Sequence, residues 1–481
     1  MRRRSLTLSF AVALVLAGCS GGGDQPSLPV PAKPPSASGV TTGPAMEPVV
    51  LLASADDLEV QGGADQYALA ARRAGAFVSG GTVVGYSVDD VSGYDLESGE
   101  KTWTAAIDMQ GGTVCFVSQP DRDIERFTVV YGKEDFCRYV TTVTVADGKV
   151  GTTTDLFDYV TVDGVEGGGD TAKTVVTYRG VDYILDGKNV VWRMSKSGAP
   201  RPLLELEGDR IYTEMHVSPQ APVMIAERYG SDACGLDAYR LPSFELAWSA
   251  EEASVFPELD GDDSHCRARP LDSNPLWLRA STSSPEHVYL AQLDPKTGEV
   301  VGRGDAPGGQ GSARSDDDTF NVVAAANYGD DGVGLPDGDV VLPQVDGATR
   351  HSLVKPDSGW WKRIELLLYD DANPFGQETV WSAVTDDGVY VVGTVSDETD
   401  TEIVALKASD GSIAGRWPLP DDYKNGFQVQ PRLTLFDGGV VLSRNFQRWD
   451  YTFDVGPENQ PPGDRYDIGV FRFPDPDQED R

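Results

Sequence analysis

The chain repeats one module: an apolar strand, a turn that ends in glycine, and a second strand that often carries tryptophan. In the copy at residues 93–103, Asp95 opens the turn, Gly99 closes it and Trp103 follows on the second strand. Further apolar runs, such as residues 82–86, precede the copies. An eighth pair of apolar runs, residues 439–443 and 468–473, ends the pattern without a tryptophan strand. The seven copies lie at residues 93–103, 143–150, 183–192, 235–248, 289–300, 352–361 and 403–417.

The module predicts an all-β fold. Glycine adopts the left-handed backbone position of such turns without steric cost, and tryptophan offers a large flat surface for packing between sheets. Units of about 45 to 60 residues match one four-stranded blade of a β-propeller. We therefore expect a β-propeller with eight blades favoured and seven possible, in which residues 48–52 complete the last blade. The tryptophans expected to pack between blades are Trp103, Trp192, Trp248, Trp361 and Trp417.

The copies, above all residues 289–300 and 403–417, resemble the repeat of the quinoprotein-like (pyrroloquinoline quinone-type) β-propeller family. The pattern is degenerate here, since Val150 and Val300 stand where the family places tryptophan. The resemblance implies architecture over nearly the whole body. The family includes quinone-dependent dehydrogenases and also non-enzymatic members such as the lipoprotein scaffold of the outer-membrane protein assembly machinery. An acylated single-domain propeller is similar to the second kind.

The first 18 residues follow the plan of a secretory signal peptide, with three arginines, an apolar run and small residues before Cys19. Leu16-Ala17-Gly18-Cys19 resembles the lipobox of bacterial lipoproteins, in which the cysteine sulfur receives diacylglycerol. The alternative is cleavage nearby that leaves Cys19 unmodified, and the export route stays open. Residues 19–48, rich in Gly, Ser, Pro and Ala, are typical of a flexible tether. Residues 49–475 are expected to form one domain and residues 476–481 a disordered tail.

Four cysteines remain when Cys19 is assigned to lipid. An even number in an exported chain predicts two disulfides, for which three connectivities exist. The local pairs, Cys115–Cys137 and Cys234–Cys266, are preferred because each disulfide would close one local loop of the chain. The absence of a C-x-x-C sequence gives no indication of a redox motif or a structural zinc site.

The charge of the chain argues against two classes of partner. Its formal net charge is −36, and removal of the three arginines of the signal peptide makes it −39. So acidic a surface repels nucleic acid and anionic lipid head groups. Acid clusters at residues 260–263, 316–318 and 397–402 could offer oxygen ligands to calcium, but none has the spacing of an EF-hand, and solvated loop charge is the favoured reading.

No motif indicates catalysis. His216, His265, His287 and His351 lack a His or Cys partner at zinc-binding spacing and are expected to be surface or packed residues. No catalytic, cofactor-binding or metal-binding residue and no cofactor is therefore predicted. The leading hypothesis is a binding or scaffolding lipoprotein, anchored by lipid on the outer face of the cell membrane, with a protein or cell-envelope component as partner. The alternatives are a degenerate quinoprotein dehydrogenase or propeller hydrolase, and a calcium or small-ligand sensor.

Overall fold

The computed structural model describes the chain in segments. These are residues 47–53, 75–86, 90–109, 112–118, 124–133, 136–195, 198–206, 210–218, 221–229, 234–257, 268–271, 274–281, 287–307, 333–334, 340–344, 347–351, 361–363, 366–367, 381–384, 388–395, 401–407, 410, 412–419, 431–436, 438–444 and 466–473. For residues 47–53 and 304–402 the description covers the backbone only. Cys19, Cys266, the predicted signal peptide, nearly all of the predicted tether and the predicted tail at residues 476–481 lie outside it.

Antiparallel strands dominate the described residues, beginning with β1 (Glu47–Ala53). Each sheet of the first half is formed by consecutive strands that pair in chain order. Sheet 1 consists of β2 (Gly75–Ser79), β3 (Thr82–Tyr86), β4 (Val91–Asp95) and β5 (Lys101–Thr104), and sheet 2 of β6 (Thr113–Val117), β7 (Arg126–Lys133), β8 (Phe136–Thr144) and β9 (Thr154–Asp155). A two-stranded ribbon, β10 (Val160–Val162) and β11 (Val165–Gly167), precedes sheet 3, which contains β12 (Ala172–Tyr178), β13 (Val181–Asp186), β14 (Val190–Met194) and β15 (Pro200–Glu205).

The same order continues through the middle of the chain. Sheet 4 consists of β16 (Ile211–Val217), β17 (Val223–Tyr229), β18 (Gly235–Arg240) and β19 (Glu245–Glu251), followed by the short helix α1 (Glu252–Val255). Sheet 5 consists of β20 (Arg269–Leu271), β21 (Asn274–Ser281), β22 (His287–Leu293) and β23 (Val300–Pro307). Sheet 6 consists of β24 (Val333–Gly334), β25 (Val340–Gln344), β26 (Gly347–His351) and β27 (Trp361–Arg363).

Two sheets complete the structure. In sheet 7, β28 (Leu366–Leu367) and β29 (Trp381–Val384) both pair with β30 (Gly388–Val395), which is followed by β31 (Thr401–Lys407) and β32 (Ile413–Pro418). Sheet 8 has the order β1-β35-β34-β33, with β33 (Pro431–Phe436), β34 (Gly439–Arg444) and β35 (Tyr466–Arg472). The N-terminal strand is therefore the outer strand of the last sheet, which confirms the prediction for residues 48–52; the strand begins at Glu47, two residues before the expected start of the domain.

Successive sheets pack face to face, and the last packs on the first. Phe77 of sheet 1 meets Phe127 of sheet 2 with ring centroids 5.3 Å apart. Apolar clusters also join sheets 2 and 3, 3 and 4, and 4 and 5. Strands β24 and β29 contact each other, as do β29 and β33. Val441 and Val470 of sheet 8 pack on Ala76 of sheet 1. Sequential sheets that return to their start define a β-propeller, as the repeat predicts.

The number of blades stays a prediction. The described residues contain seven four-stranded sheets, one five-stranded sheet and the ribbon, in agreement with eight units. The contacts above cover seven of the eight junctions of such a ring. The junction between sheets 5 and 6 adjoins residues 308–332, which lie outside the described segments.

The turn chemistry of the repeat is the same in sheets 1 and 5. In sheet 1, Oδ1 of Asp95 accepts hydrogen bonds from the backbone N–H groups of Glu97 and Ser98, at 3.1 and 2.7 Å. Gly99, at φ +70°, donates its N–H to the Asp95 carbonyl at 2.8 Å. Asp294 and Gly298, at φ +71°, repeat the arrangement in sheet 5. An aspartate that organises its own turn and a glycine with positive φ explain the spacing seen in the sequence.

Tryptophans of the repeat dock on the turn of the next sheet. The indole N–H of Trp103 on β5 donates to the Val145 carbonyl of sheet 2 at 2.9 Å, and the ring covers Gly148 so closely that an added Cβ would lie 2.5 Å from it. Trp248 on β19 donates to the Pro295 carbonyl of sheet 5 at 3.1 Å, and its ring lies against Gly298.

The other three tryptophans behave differently from one another. The ring of Trp417 on β32 lies 4.6 Å from that of Phe473, next to the third strand of sheet 8. Trp192 lies on β14, the third strand of its sheet, and donates to Asp186 of its own sheet at 2.8 Å. It packs between sheets as expected, but towards sheet 2, the preceding one. Trp361 lies on β27, where only the backbone is described.

Candidate functional site

One end of every sheet carries the connection between its second and third strands. Because the sheets repeat around the ring, these connections share one face of the propeller, here called the loop face. The disulfide Cys115–Cys137, with a Cα–Cα distance of 5.8 Å, joins β6 to β8 at this end of sheet 2, in the pairing that the sequence favours. Cys234, which directly precedes β18 at the same end of sheet 4, is also disulfide-bonded; its predicted partner Cys266 lies outside the described residues.

Large apolar side chains are exposed on the loop face. Phe136, the first residue of β8, is 51% exposed, and Tyr159, which precedes the ribbon, is 65% exposed. Phe157 lies between them in the chain and meets Phe136 edge-on at 6.1 Å. We call Phe136, Phe157 and Tyr159 the aromatic patch. Ile211 and Tyr229, paired across β16 and β17 at the same end of sheet 4, are exposed as well.

Two cations hold the rings of the aromatic patch in place. The guanidinium of Arg138 lies 4.5 Å from the centre of the Phe157 ring and forms an ion pair with Asp155. The Nζ of Lys188 lies 4.6 Å from the centre of the Tyr159 ring and donates to its hydroxyl at 3.0 Å. Hydrogen bonding to Asp155 raises the pKa of Arg138, so its charge persists at all working pH values. The patch is thus ordered before any partner arrives.

The border of the aromatic patch is acidic. Asp158, Asp163 and Glu166 are exposed in the segment that contains the ribbon. Lys133, which pairs with Phe136 across β7 and β8, is exposed as well, so three exposed acids outnumber one exposed cation at this border. Exposed aromatic surface with a negative border favours a partner segment that combines apolar and basic side chains.

A buried ionic network holds the loop-face end of sheet 4. The guanidinium of Arg228, 1% exposed, lies 3.2 Å from Oδ1 of Asp237 and 2.8 Å from Oε1 of Glu251. Oδ2 of Asp237 accepts from the Tyr212 hydroxyl at 2.5 Å and from Arg210 at 3.1 Å. Burial and the hydrogen bond to Asp237 raise the pKa of Tyr212, so it stays a neutral donor. Each charge in this network has an opposite partner, as a structural role requires.

A second polar cluster lies on the first two strands of sheet 4. Strand β16 is the first of its sheet and contacts β12, the first strand of sheet 3, so it belongs to the inner wall of the ring. The Nε2 of His216 lies 2.8 Å from Oε1 of Glu227 on β17 and 3.9 Å from Oε2 of Glu214. His216 and Glu227 are buried, at 8% and 4% exposure, whereas the side chain of Glu214 is 44% exposed. We call these three residues the His–Glu cluster.

The sequence did not indicate the His–Glu cluster. His216 was expected to be a surface or packed histidine. It is buried, and two carboxylates lie beside it. The alternation of a strand places Glu214 and His216 on one face, which is a readable signal. Glu227 comes from the neighbouring strand, in a pairing that contains a register shift between Tyr212 and Met215, and no local sequence pattern predicts this pairing.

The acid clusters considered for calcium lie outside the described residues, apart from Thr401 and Glu402 on β31.

Comparison with known proteins adds little beyond architecture. No family model matches the chain, and no curated protein matches it. The structure of BamB from Moraxella catarrhalis aligns with a TM-score of 0.34 and 10% identity, over 83% of this chain and 84% of that one. Quinohemoprotein alcohol dehydrogenase from Comamonas testosteroni aligns with a TM-score of 0.43 and 12% identity, over 91% and 77%. A β-propeller domain from Myceliophteria thermophila gives 0.37 and 9%, over 78% and 95%.

These likenesses are too remote to carry an argument about activity. The class of this protein follows from its own topology: it is a β-propeller of four-stranded sheets, with a disulfide on its loop face. Among the described residues, no helix has the length and hydrophobicity needed to span a bilayer.

Proposed function

We propose that this protein is a lipid-anchored, extracytoplasmic β-propeller of the quinoprotein-like family that binds a protein partner of the cell envelope through its aromatic patch. The observation that supports this proposal most is the exposure of Phe136 and Tyr159, at 51% and 65%, near the disulfide that joins β6 to β8. Large exposed apolar side chains that neighbouring cations keep in one orientation lose little entropy on binding. Such rings are the residues that dominate protein interfaces.

The lipid anchor is supported by the sequence Leu16-Ala17-Gly18-Cys19 after an apolar run. The disulfide Cys115–Cys137 fits an oxidising compartment outside the cytoplasm. Cells that produce the wild-type protein should incorporate a radiolabelled fatty acid into it, and Cys19→Ala should abolish incorporation. Label that persists in Cys19→Ala, or a wild-type protein that partitions into the aqueous phase of a detergent extract, would contradict the anchoring.

The binding surface can be tested by site-specific photo-crosslinking in intact cells. A photoreactive phenylalanine analogue at Tyr159 should give one discrete adduct with an envelope protein. The same analogue at Leu246, an exposed apolar position on the outer strand β19, is the matched control and should give none. Phe136→Ala should weaken the adduct formed from position 159, whereas Val301→Ala on β23 should not.

The chemistry of the partner gives the same experiment a second readout. Because the border of the patch is acidic, a basic partner segment should associate more slowly at high ionic strength. We expect the yield of the position-159 adduct to fall when salt is raised from 50 to 500 mM, a range of about 14 to 4 Å in screening length. Equal adduct yields at positions 159 and 246, or a yield that does not respond to salt, would refute the proposed surface and partner.

A further inference from the structure

The His–Glu cluster has the donor atoms of a metal site. It offers one imidazole nitrogen and two carboxylate oxygens, and the three ligand atoms lie within 4.8 Å of one another. Imidazole and carboxylate together are ligands that zinc accepts in four-coordinate sites. Among the residues that the structure describes, no other group of His, Cys, Asp and Glu side chains meets this condition.

The distances suit a small divalent cation. Two ligands bound at about 2.1 Å in tetrahedral geometry lie about 3.4 Å apart. The Nε2 of His216 lies 2.8 Å from Glu227 and 3.9 Å from Glu214, which brackets that separation. Rotation of the exposed Glu214 side chain alone would adjust the longer distance. His216 and Glu227 are buried at hydrogen-bond distance from each other, so they would separate by about 0.6 Å to reach the tetrahedral ligand spacing.

Charge favours the same conclusion. Two carboxylates with a neutral imidazole carry two negative charges, which a divalent cation neutralises. Glu227 is 4% exposed and lies at hydrogen-bond distance, 2.8 Å, from Nε2 of His216, and a divalent cation would further offset the hydration that this carboxylate loses on burial. The side chain of Glu214 is 44% exposed, so solvent reaches one side of the cluster.

We infer that Glu214, His216 and Glu227 form a zinc site with three protein ligands and one open position, on the wall of the propeller channel. Three protein ligands and an open position are the pattern of sites that exchange or activate a bound molecule, whereas structural sites are closed by four ligands. The assignment adds a metal-dependent function to the binding role proposed above and does not depend on it.

The test uses the purified full chain, stripped of metal with a chelator and titrated with zinc chloride against a chromophoric zinc indicator. Wild-type protein should bind one equivalent that His216→Gln lacks, and Glu214→Gln should weaken that equivalent at least tenfold. Glu245→Gln, which removes an exposed carboxylate from β19 of the same sheet, is the matched control and should bind as wild type does. Cobalt(II) in place of zinc should give the intense visible absorption of a four- or five-coordinate ion in wild type and control only.

Glu214→Gln keeps the test decisive if His216→Gln disturbs folding, because Glu214 is partly exposed and its loss removes a ligand without opening the core. Circular dichroism of each variant checks this point. Equal zinc stoichiometry and affinity in wild type, Glu214→Gln and Glu245→Gln would overturn the assignment. That result would leave His216 as an ordinary hydrogen-bond partner of Glu227.

Discussion

The docking of Trp103 on Gly148 makes a stability prediction that can be worked out from the coordinates. Gly148 has φ +66°, and a Cβ added to it would lie 2.5 Å from the Trp103 ring. Gly148→Ala should therefore cost about 1–2 kcal/mol for the left-handed backbone and a further 1–3 kcal/mol, roughly, for displacing the ring. The expected total is about 2–5 kcal/mol in the free energy of unfolding.

Two further variants, Gly80→Ala and Trp103→Ala, separate the backbone cost from the cost of displacing the ring. Gly80 also has a positive φ, +56°, but a Cβ added to it would have no heavy atom within 4 Å. Gly80→Ala should therefore lower the free energy of unfolding only by the cost of the left-handed backbone, about 1–2 kcal/mol. Trp103→Ala should cost about 3–5 kcal/mol. In the double variant Gly148→Ala with Trp103→Ala the collision is gone, so the two costs should fall short of additivity by about 1–3 kcal/mol. Gly80→Ala with Trp103→Ala should be additive.

Urea unfolding followed by far-ultraviolet circular dichroism provides the assay, since removal of Trp103 alters the fluorescence signal. The transitions must first be shown to be reversible and two-state, because a chain of this size can unfold in stages. If Gly148→Ala costs no more than Gly80→Ala, and its cost adds to that of Trp103→Ala without coupling, the docking of one sheet on the turn of the next is not what stabilises the junction.

The disulfide, a buried carboxyl and the closing strand each give a further expectation. Replacing both Cys115 and Cys137 by serine should lower the free energy of unfolding by about 3 kcal/mol, because the bond closes a loop of 22 residues; a loss below about 1 kcal/mol would contradict the unfolded-state argument. Burial, partly offset by the hydrogen bond that the Thr177 hydroxyl donates to Oδ1, raises the pKa of Asp182. The stability that Asp182 contributes is therefore complete below its unfolded pKa of about 3.9 and is lost as pH rises through its higher folded pKa. Asp182→Asn should flatten that loss in thermal melts between pH 4 and 7, and an unchanged pH profile would refute it. Deleting residues 47–53 should lower the melting temperature by exposing β35, whereas deleting residues 20–46, within the predicted tether, should leave it unchanged; equal melts for the two deletions would show that β1 does not close the ring.

The elements that local chemistry specifies could be predicted from the sequence. Asp95 and Gly99 encode their turn through hydrogen bonds and φ within five residues, so the hairpin of β4 and β5 is readable without tertiary information. The role of residues 48–52 could be predicted because the last unit lacks a strand and an apolar segment was left over at the other end of the chain. The local disulfide Cys115–Cys137 could be preferred for its short loop.

Features that depend on pairing between distant strands could not be predicted. The Asp186–Gly187 turn resembles the other copies in sequence, yet its left-handed residue is Asn189, at φ +66°, and it joins the second and third strands of sheet 3. Trp192 consequently faces the preceding sheet. The ribbon of β10 and β11, which adjoins the aromatic patch, follows no repeat. The His–Glu cluster needs Glu227 from a separate strand, and only the register across β16 and β17 brings it to His216.

The union of β1 with β35 has a consequence for how the protein matures. Glu47 pairs with Arg472, so the seam of the ring joins the start of the body to its end. Loop closure over so many residues is entropically costly and late in folding. Until then the segment Glu47–Ala53 is a largely apolar strand with open edges, a form prone to aggregation. Once paired, the seam holds the N-terminal end of the propeller, so a force applied through the preceding residues would load this strand pair before the rest of the ring.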